Sequence, residues 1–257
     1  MFQRCKWILV VVTMVAACVS AKAADDANSQ PLGMGVTFDY FSKYIWRGQN
    51  LNDKSVFQPS IYLSKYGFTG SIWGNQDWTS ANDNGGNFTE FDYSLDYTNT
   101  IPGIDWLSGS AGVIYYTFPH TEFDSTTEVY GGLTLATLPL TPSFKIYRDV
   151  DEIKGNYYQF SVGHTVEKIA TFSEQCYCGL QLGASVGYGN AAYNKGYFGV
   201  DSEKSNDLTL TAGLPVCFGS WTLKPSVSYA TMLSDSIRSA TDKSDNLWGG
   251  LSLSTSF

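Results

Sequence analysis

The chain has 257 residues, a formal net charge of -8, 43% hydrophobic residues and 15% aromatic residues. This length suits one sizeable domain, and the hydrophobic content excludes a disordered chain. The acidic balance argues against nucleic acid as a partner, because nucleic-acid binding requires a basic face. It also argues against a basic helix that lies on a membrane surface.

The N-terminus has the pattern of an export signal. Arg4 and Lys6 precede an apolar segment, and Ala21-Lys22-Ala23 offers a small-residue cleavage site. The apolar run over residues 8–19 is shorter than the roughly 20 residues that span a bilayer. We therefore predict a signal peptide over residues 1–23 and a short N-terminal segment over residues 24–31. An alternative is a lipobox at residues 15–18, which would make Cys18 a lipid-bearing first residue.

Alternation of apolar and polar residues dominates the rest of the chain and predicts strands. In residues 88–97, for example, Phe91, Tyr93 and Leu95 share one face, while Asp92 and Asp96 share the other. The predicted strands are residues 32–44, 56–64, 68–77, 87–98, 106–117, 125–137, 142–149, 157–166, 175–188, 206–214, 221–230 and 245–257.

The connections between these strands alternate in length and charge. Short ones, such as residues 64–67 and the longest of this set, residues 167–174, alternate with long polar ones, such as residues 189–205. Short turns at one end and long loops at the other are typical of bacterial outer-membrane barrels. A soluble sandwich also alternates, but three features favour a barrel in lipid. The polar face consists of small polar residues and has few lysines. Aromatic residues gather near strand ends. The last strand ends in Phe257, as in the assembly signal of outer-membrane barrels.

The sequence therefore predicts an all-β fold over residues 32–257, a transmembrane antiparallel up-and-down β-barrel of about 12 strands, with ten or fourteen as alternative counts. Closure is required because hydrocarbon satisfies no free N–H or C=O at a sheet edge. The expected location is the cell outer membrane of a Gram-negative bacterium.

Several segments resemble the TorF family of putative porins. They are residues 38–49 (FDYFSKYIWRGQ), 58–61 (QPSI), 67–75 (GFTGSIWGN), 113–119 (VIYYTFP), 127–133 (TEVYGGL) and 155–158 (GNYY). The resemblance covers most of the mature chain and is best before residue 166; the long loop over residues 189–205 matches poorly. It implies an outer-membrane barrel with a porin function assigned by inference, and no catalytic residues.

The turn Trp46-Arg47-Gly48 has two interpretations. Arg47 folds inward and narrows the pore, or the segment is only a turn. In the second interpretation, which we favour, Gly48 supplies a permissive backbone angle, Arg47 stacks on a ring and Trp46 lies at the membrane interface.

Alternation also predicts charges in the lumen. Glu90, Asp92, Asp96 and Glu128 face inward on strands four and six, and Lys145 and Lys224 on strands seven and eleven. Acid on one wall and base across from it would favour small polar or cationic solutes. The alternative is that these side chains pair and plug the lumen. The leading function is then a porin-like channel for passive diffusion of small solutes, and the rival is a non-conducting barrel that is structural or presents loops.

The remaining expectations concern sulfur, catalysis and partners. Cys217 is predicted near the rim beside Cys176 and Cys178, with one disulfide from Cys217 to either of them. Neither histidine occurs as His-x-Ser, the pattern of outer-membrane phospholipases, so no enzyme activity is expected, and no cofactor or metal. The expected partners are outer-membrane lipid, lipopolysaccharide, the barrel assembly machinery and small solutes. The oligomeric state stays open.

Overall fold

The structure, a computed structural model, describes residues 31–257. The predicted signal peptide, the alternative lipid site at Cys18 and nearly all of the predicted N-terminal segment lie outside the described residues. The strands are β1 (Gly33–Phe41), β2 (Tyr44–Trp46), β3 (Gln49–Asn52), β4 (Val56–Lys65), β5 (Phe68–Asp77), β6 (Phe88–Ile101), β7 (Ile104–Thr117), β8 (Thr126–Leu135), β9 (Ser143–Asp149), β10 (Asn156–Ser173), β11 (Cys176–Gly189), β12 (Lys204–Gly213), β13 (Val216–Phe218), β14 (Trp221–Met232) and β15 (Asp245–Ser256).

All strands except β2 and β3 form one antiparallel sheet that closes on itself. Its order is β10-β9-β8-β7-β6-β5-β4-β1-β15-β14-β12-β11, and the pairing of β10 with β11 completes the ring. The short strand β13 continues the wall of β12 beyond Pro215 and pairs with β11 and β14. The barrel therefore has twelve strands, with β12 and β13 counted as one, which confirms the predicted fold and strand count. Each of the twelve strands pairs with a neighbour on both sides over at least part of its length. The ring therefore has no free edge of the kind that hydrocarbon does not tolerate.

The two faces of the wall differ in the way that the alternation predicts. On β6, Tyr93, Leu95 and Tyr97 are exposed on the outer face, whereas Asp92 and Asp96 are partly covered on the inner face. The same outer face continues around the barrel with large exposed apolar side chains. They include Leu133, Phe160, Leu182, Val227 and Leu247. An apolar belt of this extent is a surface for lipid rather than for water.

The two ends of the barrel are unequal. Short connections lie at one end, here called the short-turn end, and the opposite end, the long-loop end, carries the connections 42–55, 78–87, 118–125, 150–155, 190–203 and 233–244. The chain termini meet at the short-turn end, where the Met34 amide donates to the Phe257 carbonyl at 3.2 Å and the Phe257 amide donates back at 2.8 Å.

One predicted connection is wrong. Residues 167–174 are mostly strand, because β10 runs on to Ser173. Val166 pairs with Leu180, and the next pair is Ala170 with Cys178. Three residues of β10 therefore lie opposite a single residue of β11, which is a β-bulge. This bulge breaks the alternation of apolar residues, and without alternation the segment has no strand signal.

The long-loop end contains four further elements that the alternation does not show. Two are α-helices, α1 (Ala191–Phe198) and α2 (Asp235–Ala240). The others are a short 3-10 helix (Ser80–Asn82) and the hairpin formed by β2 and β3. Within residues 31–257, none of the helices has both the length and the apolar character needed to cross a membrane. The α-helices contribute to a buried cluster of Tyr157, Tyr193, Phe198, Met232 and Ile237, so side chains pack across part of this end of the barrel.

Candidate functional site

The turn of the β2–β3 hairpin has the backbone of a tight two-residue loop. Trp46 pairs with Gln49, and the two residues between them, Arg47 and Gly48, have φ angles of 45° and 78°. Positive φ at both central positions matches the twist of a hairpin, and glycine at the second position takes this conformation without strain. The turn that the sequence indicates is therefore present.

This hairpin lies inside the barrel. Tyr44 donates its hydroxyl hydrogen to Glu90 of β6 at 2.9 Å, and its ring is 5.7 Å from that of Trp73 on β5. On the opposite side, Gly48 approaches Asp207 of β12 and Met232 of β14 so closely that a Cβ atom there would be 2.6 Å from the Asp207 Cβ. Contacts with walls on both sides of the ring place the hairpin across the lumen.

Arg47 at the tip of the hairpin forms a two-point ion pair with Glu128 of β8. Its Nη1 and Nη2 atoms donate to Oε1 and Oε2 at 2.8 and 2.7 Å, and both side chains are buried. Tyr116 donates to the same carboxylate at 2.9 Å. Paired hydrogen bonds of this geometry are among the stronger polar contacts in proteins, so Glu128 holds the hairpin in place.

Aromatic rings surround the Arg47 guanidinium. Its carbon is 4.3 Å from the ring centre of Tyr157, 4.4 Å from that of Trp46 and 4.6 Å from that of Tyr147. Trp46 in turn packs against Tyr197 of α1 at 5.3 Å. Trp46 therefore does not lie at the membrane interface, contrary to the interpretation we favoured, because the whole turn is folded inward.

The predicted acidic residues occupy two levels of the lumen. Glu90 and Glu128 are buried against the hairpin, and Asp92 lies beside Glu90 on the same face of β6. Asp96 lies closer to the short-turn end and accepts a hydrogen bond from the Tyr130 hydroxyl at 2.5 Å. Three of the four acids thus border the hairpin and one lies below it.

The two predicted lysines do not lie together. Lys145 belongs to β9, next to the acidic wall rather than across from it, and its Nζ atom is 5.0 Å from the centre of the Tyr130 ring. Lys224 belongs to β14, five walls from β6, and donates to Gln181 at 3.2 Å. Of the two lysines, only Lys224 therefore faces the acids across the barrel. The sequence gives the order of the strands along the chain but not their positions around the ring, so it did not separate the two lysines.

A cavity of about 560 Å³ lies in the half of the barrel towards the short-turn end. Hydroxyl groups of Thr37, Thr211, Thr222, Ser226, Ser252 and Ser254 line it. Asp39, Glu167 and Lys224 supply its charges. The interior thus contains a polar cavity towards the short-turn end and the β2–β3 hairpin towards the long-loop end.

At the long-loop end, a cluster of ion pairs ties the base of the hairpin to the loop between β14 and β15. The Asp53 carboxylate contacts Lys243 of that loop and Lys43, the latter at 3.0 Å. Asn50 donates to both Asp53 and Asn246, at 2.9 and 2.8 Å. The hydrogen bond from Lys243, followed by those from Asn50 and Lys43, lowers the pKa of Asp53 below its ordinary value of 3.8.

Replacing Asp53→Asn is expected to loosen this loop, since the amide cannot accept from two ammonium groups as a carboxylate does. Because the folded pKa is lowered, the carboxylate stabilises the closed loop above pH 3.8, and the contribution disappears as the pH falls below that value. Trypsin should then cut after Lys243 several-fold faster at pH 8. Asp83→Asn, in another exposed loop, is the matched control, and equal cleavage in the two variants would contradict the role of Asp53.

The structure contradicts the predicted disulfide. Cys176, Cys178 and Cys217 are free, and the register pairs Cys217 with Tyr177, between the other two cysteines. Directly paired residues share a face, and their strand neighbours point to the other face. The sequence places the two strands side by side, but an offset of one residue decides which side chains meet.

Three free thiols are therefore expected in the mature protein. Alkylation with iodoacetamide in denaturant, without reductant, should add three adducts to the intact mass. Cys217→Ser should lower that number by one and leave the other two cysteines reactive. A single reactive thiol in the wild-type protein would show that the predicted disulfide is present after all.

The comparisons with known proteins give a likeness of shape only. No family model matches the chain, and no curated protein matches it. The NanC porin structure aligns with a TM-score of 0.47 and 11% identity, over 86% of this chain and 98% of that one. An outer-membrane channel of Pseudomonas putida F1 aligns at 0.41 and 8%, over 91% and 100%. Salmonella typhi OmpF, in complex with daunomycin, aligns at 0.39 and 9%, over 88% and 97%. These values carry neither family nor function to this chain, and membership of the TorF family stays a prediction.

Proposed function

We propose that the protein is a channel in the outer membrane of a Gram-negative bacterium, through which small polar or cationic solutes diffuse, and that the β2–β3 hairpin narrows it. The main support is the polar, charged cavity of about 560 Å³ enclosed by a wall whose outer face is apolar. A barrel that only had to hold its shape would gain more from a filled interior than from this cavity. Arg47 neutralises Glu128 at the hairpin. The expected preference for cations rests on Asp39 and Glu167 of the cavity, which outnumber Lys224.

A non-conducting barrel is the second candidate. Its support is the long-loop end, where polar side chains such as Asn52, Asn206 and Asn246 are buried together with the hairpin. In this alternative the loops are presented to a partner, and the cavity below them is closed at one end. The two candidates differ in one respect. In the channel, the hairpin leaves a path for solutes or moves to open one; in the non-conducting barrel, it does neither.

Purified protein in planar lipid bilayers tests the choice. We expect small conductance steps, and a reversal potential in a KCl gradient that indicates cation preference. Glu128→Gln, which we expect to release the hairpin, is measured beside the wild type. Silence of both proteins, with folded barrels shown by heat-modifiable gel mobility, would establish the non-conducting alternative.

The expected partners enter as part of the same proposal. The apolar belt suits lipid, and the terminal strand β15, which pairs with β1 and precedes Phe257, suits recognition by the assembly machinery. Lipopolysaccharide would contact the outer edge of the long loops.

A further inference from the structure

The cavity at the short-turn end contains opposite charges in one row of the wall. Asp39 on β1 is directly opposite Ser252 on β15, and Ser252 is directly opposite Lys224 on β14. Neighbouring strands are 4.7–4.9 Å apart, so the Cα atoms of Asp39 and Lys224 are separated by about 9.5 Å. This separation leaves a gap between the two charged groups.

Neither Asp39 nor Lys224 forms an ion pair with another side chain of the described residues. The Lys224 ammonium group has one neutral partner, Gln181, and its stem passes over Gly213, where a Cβ atom would be 3.2 Å from the Lys224 Cδ. An ammonium group has three donors, so two of them remain available to a solute in the cavity that Lys224 lines.

We propose that this cavity is a binding site for a small organic zwitterion, with the carboxylate of the solute at Lys224 and its ammonium group at Asp39. The inference rests on the proposed function, because the pore is what brings such a solute to the cavity. The Ser252 hydroxyl, on the strand between those of Asp39 and Lys224, donates to the Asp39 carboxylate, and its oxygen accepts from the ammonium end of the solute. Glu167, the third charge of the cavity, adds attraction for the ammonium end.

The charge pattern disfavours the other classes of small solute. An anion would meet two carboxylates, a cation would leave the ammonium group of Lys224 without an opposite charge, and a neutral sugar would leave both charges without one in a partly desolvated space. A solute with both charges satisfies both walls. The Lys224 side chain reaches over Gly213 of β12 to Gln181 of β11, away from Asp39. The two charged groups are therefore well separated, which favours a solute whose charges are several bonds apart, as in an ω-amino acid or a short peptide.

Saturation-transfer NMR on the detergent-solubilised full-length mature protein tests this site. The probes are 4-aminobutyrate, butyrate and butylamine, which differ only in the charges they carry. We expect 4-aminobutyrate to bind at least tenfold more tightly than either single-charge probe. Asp39→Asn and Lys224→Gln should each abolish that preference.

Lys145→Gln is the matched control, because Lys145 also lies in the lumen but stacks on Tyr130 outside the cavity. It should keep the full preference for 4-aminobutyrate. Equal binding of the three probes to a protein that conducts would overturn the zwitterion site and leave the channel intact. A tenfold preference in a protein that is silent in bilayers would support the site and remove the channel.

Discussion

Glu128→Gln should raise the single-channel conductance several-fold. The substitution keeps the size of the side chain but removes the charge that faces the Arg47 guanidinium in a buried, two-point ion pair. Breaking a buried ion pair by removing one partner costs about 3–5 kcal/mol, since the remaining charge is uncompensated. The substitution therefore destabilises the state in which the hairpin is inserted in the lumen. The hairpin should then leave the lumen for part of the time.

Conductance and gel mobility together decide this prediction. Glu122→Gln, in the loop that precedes β8, is the matched control, and it should conduct like the wild type. Arg47→Gln removes the other partner and should act in the same direction. If both lumen variants fold, shown by mobility that changes only on boiling, and conduct like the wild type, then the Arg47–Glu128 pair does not control the pore.

Gly48→Ala should destabilise the protein more than the same substitution at a loop glycine that has free space around it. The residue has a φ of 78°, and the new Cβ atom would be 2.6 Å from the Asp207 Cβ and 3.1 Å from the Met232 sulfur. A left-handed backbone costs an alanine about 1–2 kcal/mol by itself. The clash inside the lumen adds to this cost, because neither β12 nor β14 can withdraw from a closed ring.

A second glycine separates the two costs. Gly86 has a φ of 83° in the loop between β5 and β6, and its Cβ would meet nothing within 4 Å. Gly86→Ala should therefore show the backbone cost alone. The temperature at which the folded gel band converts to the unfolded one should fall further for Gly48→Ala. An equal decrease in the two variants would mean that the hairpin does not pack against Asp207.

The strands were predictable from the sequence because their environment has two sides. A residue on a barrel wall faces either lipid or the interior, and this requirement imprints alternation on every strand, as in the Tyr93–Tyr97 segment of β6. The bulge after Val166 breaks that pattern and was missed for the same reason. Strand order followed from the short turns, whereas register, which decides that Cys217 meets Tyr177, did not.

The interior was less predictable, because its contacts join distant parts of the chain. Arg47 meets Glu128 across 81 positions, and nothing in either local sequence indicates the other. Tyr157 and Asp207, which share a hydrogen bond of 2.9 Å beside the hairpin, were missed for this reason. Helix α1 did have a local signal. Asn190 caps its first turn by accepting from the Tyr193 amide at 2.9 Å, and Gly199 ends it with a φ of 69°.

The unequal lengths of β9 and β10 also determine how deeply the protein sits in its bilayer. β9 pairs with β10 only as far as Ser161, and the loop before β9 covers Gly163 through a 2.8 Å hydrogen bond from the Gly163 amide to the Leu140 carbonyl. Beyond that point, the part of the chain that the structure describes has no strand beside β10 on this side. Backbone groups without partners need water. We therefore expect the acyl chains to end near Gly163 and the last ten residues of β10, 164–173, to lie in the aqueous phase.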